Sequence, residues 1–286
     1  MATTDYLRKR FMPHIWCPGC GHGIVLNSLL RAIEKLGLEK NDIVMISGIG
    51  CSARMQGYVD FHTMHTLHGR ALAFATGTKM AWPLLKVIVP MGDGDALAIG
   101  GNHFIHAARR NIDVTAVIMN NSIYGMTGGQ HSPLTECGDH ATTAPYGTVD
   151  PPFDVVQLAG AAGASFVART TTYHAREMTR LLAAAIEHKG FSVVEVLSQC
   201  PTYYGRRNDA GDAVAMMEGF RDRTVKVTPD QTAPDGLSGW TDATHAPVPI
   251  GLFRREERPE YCEAYRTGVI ERAMQQAASA AREESP

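Results

Sequence analysis

Five short apolar runs, each of the length of a strand, constrain this chain more than any other feature: DIVMISGIG (42–50), KVIVPMGDGD (86–95), DVTAVIMNN (113–121), ASFVAR (164–169) and SVVEVLSQC (192–200). Runs without polar alternation belong to strands covered on both faces, and such strands occur in parallel sheets whose crossovers are helices. Helical periodicity fills the gaps at Gly21–Leu38, Ala96–Arg109, Asp154–Ala162 and Tyr173–His188. The order β-α-β throughout predicts an α/β fold, a mostly parallel sheet with helices on both faces and right-handed crossovers. Ligands of such folds gather at the carboxyl ends of the strands.

With 286 residues, 44% of them hydrophobic, the chain can build one large domain plus an extension. We divide it into a binding domain, 1–204, and a C-terminal extension, 205–286. The stretch Thr228–Val248 reads as an irregular arm, and the weakly apolar helical run Tyr261–Glu284 as a segment that packs on a partner subunit or frays in solvent. A formal charge of -2 gives no global field toward nucleic acid or an anionic membrane. The N-terminus has no apolar core of a signal peptide and no run is long enough to span a bilayer, so we expect a cytoplasmic protein. In a reducing compartment six cysteines are a poor disulfide framework, and clustered ones are candidates for metal or redox chemistry.

Two constellations carry chemistry. Gly92-Asp93-Gly94-Asp95 ends one strand and Asn120-Asn121 the next, within a single βαβ unit. Asp93 and Asn121 can therefore share a hard cation such as Mg2+, while the glycines and the following helix N-terminus admit a diphosphate. A GDG turn alone would usually be only a turn; the pairing with NN is what raises it. Cys17-Pro-Gly-Cys20 forms the second, a short chelating loop that needs two more ligands, for which Cys51 and Cys200 stand at strand ends. Spacing alone leaves a structural zinc site, an active dithiol, buried inert thiols and a [4Fe–4S] cluster all open, with zinc slightly favoured. Cys137 and Cys262 fall outside the pattern and read as ordinary thiols.

The ordered motifs WCPGCGHG, GIGCSARMQGY, GDG and NNSIYGMTGGQ resemble the β subunits of 2-oxoacid:ferredoxin oxidoreductases, over most of Ile15–Pro201. The resemblance implies a thiamine-diphosphate-binding fold. It makes Asp93 and Asn121 side-chain Mg2+ ligands and Ile123 a carbonyl ligand, with Ile49, Gly50, Cys51, Ser52, His68, Gly94, Asp95, Gly125 and Met126 around thiamine diphosphate. It also makes Cys17, Cys20, Cys51 and Cys200 the ligands of one [4Fe–4S] cluster. Arg54 and His68 are its candidate catalytic residues: a guanidinium at 54 can bind an oxoacid carboxylate, although relatives often carry Lys there, and Gly128 replaces a Lys found in some. His62 and His65 are expected at an interface or in packing. Similarity of the longer segments to the 2-oxoglutarate subgroup implies CoA-dependent oxidative decarboxylation of 2-oxoglutarate, possible in reverse as CO2 fixation. It further implies electron delivery to ferredoxin and an α subunit, in an (αβ)2 assembly, that supplies the activating glutamate. Pyruvate or a branched-chain 2-oxoacid is the alternative substrate; a non-redox thiamine decarboxylase and a zinc-stabilised non-enzymatic subunit are the alternatives of other classes.

Overall fold

The computed structural model describes residues 1–227 and 247–283, with side chains to residue 280. All five apolar runs are strands: β1 (Ile43–Ser47), β3 (Lys86–Gly92), β4 (Thr115–Asn120), β7 (Phe166–Thr171) and β8 (Ser192–Leu197). A further strand, β2 (His62–His65), lies at one edge, and the parallel order runs β2-β1-β3-β4-β8-β7. β5 (Ile123–Tyr124) and β6 (Gln130–His131) form a separate two-stranded hairpin.

The strands alternate their side chains between two cores. Met45, Val117 and Val194 join α1 (His22–Lys35) and α7 (Ala175–Glu187) on one face. Their neighbours Val44, Ile46, Ala116, Ile118 and Val193 join α3 (Ala71–Ala81), α5 (Gly101–Arg110) and α6 (Val155–Ala162) on the other. Each core strand is thus covered twice, which is why its sequence is apolar without alternation. α6 is capped by Asp154, whose side chain accepts from Gln157 N, and ends in Gly163 at φ +97°, a conformation that favours glycine.

Three features differ from the sequence reading. The helix expected at Ala96–Arg109 begins at Asp93 itself as α4 (Asp93–Leu97), breaks at Ala98, and resumes as α5. Residues 62–65, to which the sequence reading gave no secondary structure, form an edge strand with His62 and His65 exposed. The third concerns the segment after 205, which returns to the body of the protein: β10 (Val248–Arg255) pairs antiparallel with β7 and parallel with β9 (Thr224–Lys226). α2 (Met55–Tyr58) and α8 (Ala213–Arg223) complete the domain, and the helical run at the C-terminus is α9 (Tyr261–Tyr265), a π turn at Arg266–Ile270 and α10 (Glu271–Glu283), largely exposed. Most of the expected irregular arm, 228–246, lies outside the described residues. No helix among the described residues is long and apolar enough to cross a membrane.

Candidate active site

The carboxyl ends of β1, β3, β4 and β8 meet in one place and deliver the Cys51, GDG, NN and Cys200 segments to it. β3 and β4 pair in register Gly92↔Met119, so Asp93 and Asn121 each emerge just past a paired position. Asp93 is buried and its Oδ2 accepts the Ser132 hydroxyl at 2.5 Å. Burial pushes its carboxyl up to about 7, with the Ser132 hydrogen bond opposing; a cation beside it would restore the ionised form. Gly94 lies under the Tyr124 ring, where any Cβ would overlap the ring. Burial, with Asp93 and Asp95 behind it, lifts the Tyr124 phenol to about 12, so it stays a neutral hydroxyl.

Asp95 does not face the glycine turn. Its Oδ1 accepts from Gly69 N (2.6 Å), from Ile49 N (3.4 Å) and from His68 Nδ1 (2.8 Å), so it ties the 48–50 and 68–69 loops to α4. The other oxygen, Oδ2, is buried without a hydrogen-bond partner among the described residues. The hydrogen bond from His68 to Asp95 Oδ1 raises the pKa of His68, which sits edge-on to Tyr124 at 5.9 Å. Gly50 has φ +128°, Ile49 is exposed, and Met126 is exposed beside the loop. Ser52 Oγ is buried, has no partner among the described residues and faces Gly92, where a Cβ would stand 3.3 Å from it. An orphaned hydroxyl, a glycine cradle and a helix N-terminus converging on one spot suit a diphosphate.

The four cysteines converge as well. Cys20 and Cys51 both feel the charge of Cys17 and Cys200, and burial is the main cause that pushes Cys20 to about 12 and Cys51 to about 11. Such thiols carry no charge on their own; bound ferric and ferrous iron would hold them as thiolates. Cys17 is exposed and Cys200 buried. The Cys17–Cys20 turn is closed by Cys20 N donating to Cys17 O (3.0 Å), and Gly19, at φ +79°, packs against Ala213 of α8 with no room for a Cβ. Gly125 brings the two halves together: a Cβ there would stand 3.4 Å from Cys51 Sγ and 3.8 Å from Cys200 Sγ. Among the described residues, no group of three or more His, Cys, Asp or Glu is arranged to hold a single metal ion. Arg54 is exposed on the turn after Cys51 and favours its thiolate.

Sequence reasoning missed the groups that hold this arrangement. Trp16 is buried and donates Nε1–H to Cys51 O (2.7 Å), tying the CPGC loop to the third cysteine. It packs edge-to-face with Tyr58 and His22 and at a tilt to His14, and His22 Nδ1 lies 3.1 Å from Ser198 Oγ, two residues before Cys200. Ser132 and Tyr124, on either side of the hairpin, gave no local signal; Glu195 and Arg169 gave one, as lone charges inside apolar strands.

Residues 48–196 match the family described as "Thiamine pyrophosphate enzyme, C-terminal TPP binding domain". The chain is 52% identical over 259 residues to the 2-oxoglutarate synthase subunit KorB of Archaeoglobus fulgidus, covering 91% of each. It is 43% identical over 261 residues to the 2-oxoacid:ferredoxin oxidoreductase subunit beta of Saccharolobus solfataricus, covering 85% of this chain and 82% of that one. Among solved structures, a 2-oxoglutarate:ferredoxin oxidoreductase from Magnetococcus marinus, with 2-oxoglutarate, coenzyme A and succinyl-CoA bound, superposes with a TM-score of 0.83 at 37% identity, over 96% of this chain and 91% of that one.

Proposed function

The chain belongs to the family of 2-oxoglutarate:ferredoxin oxidoreductase β subunits, the KorB subunits, and from that premise we propose that it catalyses, with an α subunit, the CoA-dependent oxidative decarboxylation of 2-oxoglutarate to succinyl-CoA. A [4Fe–4S] cluster, which Cys17, Cys20, Cys51 and Cys200 would hold, would supply the exit for the two electrons to ferredoxin, and the reaction would run in reverse when ferredoxin is sufficiently reducing. The carrying observation is Gly125: the loop that would seat the cofactor passes close to two of the four cysteines, a Cβ there lying 3.4 Å from Cys51 Sγ and 3.8 Å from Cys200 Sγ, which would bring carbon chemistry and electron exit together. Bound thiamine diphosphate supplies the carbon nucleophile for the 2-oxo group and the cluster supplies a one-electron acceptor beside it.

The residues of this chain bind, orient and hold protons. Asp93 and Asn121 offer side-chain oxygens, and Ile123 its carbonyl, to Mg2+, which wants such donors together with phosphate oxygens. The backbone of the GDG turn and the Ser52 hydroxyl donate to the diphosphate. His68 keeps a proton on Nδ1 against Asp95, which fixes its ring beside the cradle. Arg54, exposed and next to Cys51, is placed to receive an oxoacid carboxylate.

Four cysteines can supply either a zinc ion or an iron–sulfur cluster, and metal analysis separates the two. Anaerobic purification with iron, sulfide and thiamine diphosphate analysis tests the reading. We expect about four iron and four sulfide per chain; zinc with no sulfide would refute the cluster, and steady-state preference for pyruvate over 2-oxoglutarate would refute the substrate.

A further inference from the structure

β7 and β8 are apolar strands interrupted by one charge each, Arg169 and Glu195, which pair in register in the interior of the sheet. Both are buried, Arg169 at 6% and Glu195 at 2% exposure. Arg169 donates Nε–H to Glu195 Oε2 (2.6 Å) and Nη2–H to Asp154 Oδ1 (3.0 Å). An ion pair so placed loses in desolvation much of what it gains, so stability alone does not account for it. Its position does. Glu195 Oε1 accepts the Asn120 amide, Nδ2, at 2.8 Å, and Asn120 Oδ1 in turn accepts the backbone N–H of Ser122 at 3.0 Å.

Ser122 is one of three non-glycine residues at positive φ among the described residues, at +56°. Its neighbours on either side are Asn121 and Ile123. A left-handed residue there fixes the backbone between the two residues that the magnesium reading assigns as ligands. The turn is gripped from the other side too: Thr135 donates its hydroxyl to Ser122 O (2.6 Å) and accepts Ser132 N–H (2.8 Å), while the Ser132 hydroxyl donates to Asp93. One chain of hydrogen bonds thus runs from Arg169 through Glu195, Asn120, Ser122, Thr135 and Ser132 to Asp93.

We propose that Asn120, oriented by the Glu195–Arg169 pair, is the positioning residue of the magnesium loop: it holds Ser122 in its left-handed turn and thereby aims Asn121 and Ile123 at the cation that Asp93 shares. The proposal rests on the magnesium and thiamine diphosphate reading above and assigns a separate role to the first asparagine of the NN pair, which binds no metal.

The test uses the enzyme assembled with its partner subunit and measures the Mg2+ concentration that half-saturates thiamine diphosphate binding, alongside iron content and melting temperature. Asn120→Ala is expected to raise that concentration about tenfold, since the strained turn loses its acceptor, with iron content unchanged. Glycine adopts positive φ without help, so Ser122→Gly added to Asn120→Ala is expected to recover most of the loss. A general packing defect would not be rescued this way. An unchanged Mg2+ requirement in Asn120→Ala, or a deficit that Ser122→Gly does not relieve, overturns the proposal. If Asn120→Ala does not assemble, Asn120→Leu, close in size and lacking the acceptor for Ser122 N–H, carries the same test: a requirement raised about threefold supports it and an unchanged one refutes it. Wild-type enzyme that binds thiamine diphosphate without any divalent cation would instead overturn the magnesium reading itself.

Discussion

Gly48→Ala is expected to loosen the cofactor cradle from a position that contributes no side chain to it. A Cβ at Gly48 would lie 2.7 Å from Asp95 Cγ and closer still to both carboxylate oxygens. Asp95 cannot step aside cheaply: its Oδ1 is held by two backbone N–H groups and by His68. Overpacking a site of this kind costs about 1–3 kcal/mol, and weakening the charge-assisted hydrogen bonds to Gly69 and His68 adds about 1–2 kcal/mol. A total of about 3 kcal/mol lowers the melting temperature of a domain this size by roughly 6–12 °C. The assay is calorimetry or circular dichroism on the purified chain, paired with a thiamine diphosphate titration of the assembled enzyme. The control is Gly77→Ala, in the interior of α3, where a Cβ meets nothing within 4 Å; it should raise stability by about 0.5–1 kcal/mol. A Gly48→Ala melt within about 2 °C of wild type, with unchanged cofactor affinity, would refute the reasoning about Asp95.

Trp16→Phe keeps an aromatic side chain, smaller than the indole, but loses the donor to Cys51 O, and we expect the iron to reach a chelator at least about fivefold faster, as one hydrogen bond of about 1 kcal/mol allows; equal release rates would show that the indole N–H is idle. Cys200→Ser replaces a thiolate by a poorer iron ligand, so ferredoxin reduction should be lost while thiamine diphosphate still binds, and a variant reducing ferredoxin normally would remove Cys200 from the ligand set. Burial holds the His22 imidazole neutral, its pKa pushed down to about 4. Because the unfolded chain takes up that proton near its ordinary value, stability present above about 6.5 is lost as pH falls toward about 4, by about 2 kcal/mol at about pH 5. The urea midpoint should therefore drop less between about pH 7 and pH 5 in His22→Gln than in wild type, and an equal drop in both would contradict the linkage.

The parallel sheet was legible because its strands are buried on both faces and write themselves as unbroken Val, Ile and Met. β2 was not: HTMH is an exposed edge strand with no apolar run. β10 was hidden for a different reason, since VPIGLFRR reaches the sheet through a long-range antiparallel pairing that no local pattern encodes. GDG and NN were readable as ends of adjacent strands. Their supports were not, because Ser132 is 39 residues from Asp93, and Glu195 is 75 from Asn120. The expectation for Asp95 came from its place in the motif, while its side chain turns back to the 49 and 69 loops because a helix that starts at Asp93 swings position 95 inward.

The sheet's two faces also divide the protein energetically. Met45 belongs to one core and Val44 and Ile46 to the other, and β3, β4, β7 and β8 repeat that division residue by residue. Truncations on opposite faces, such as Leu29→Ala behind α1 and Phe104→Ala behind α5, share no cavity and should add within about 0.5 kcal/mol. A strand that slipped by one residue would exchange the linings of both cores at once. The sheet is thus an insulator between two independently mutable interiors, and a loss of packing beneath the cysteine-bearing face need not be felt beneath the other.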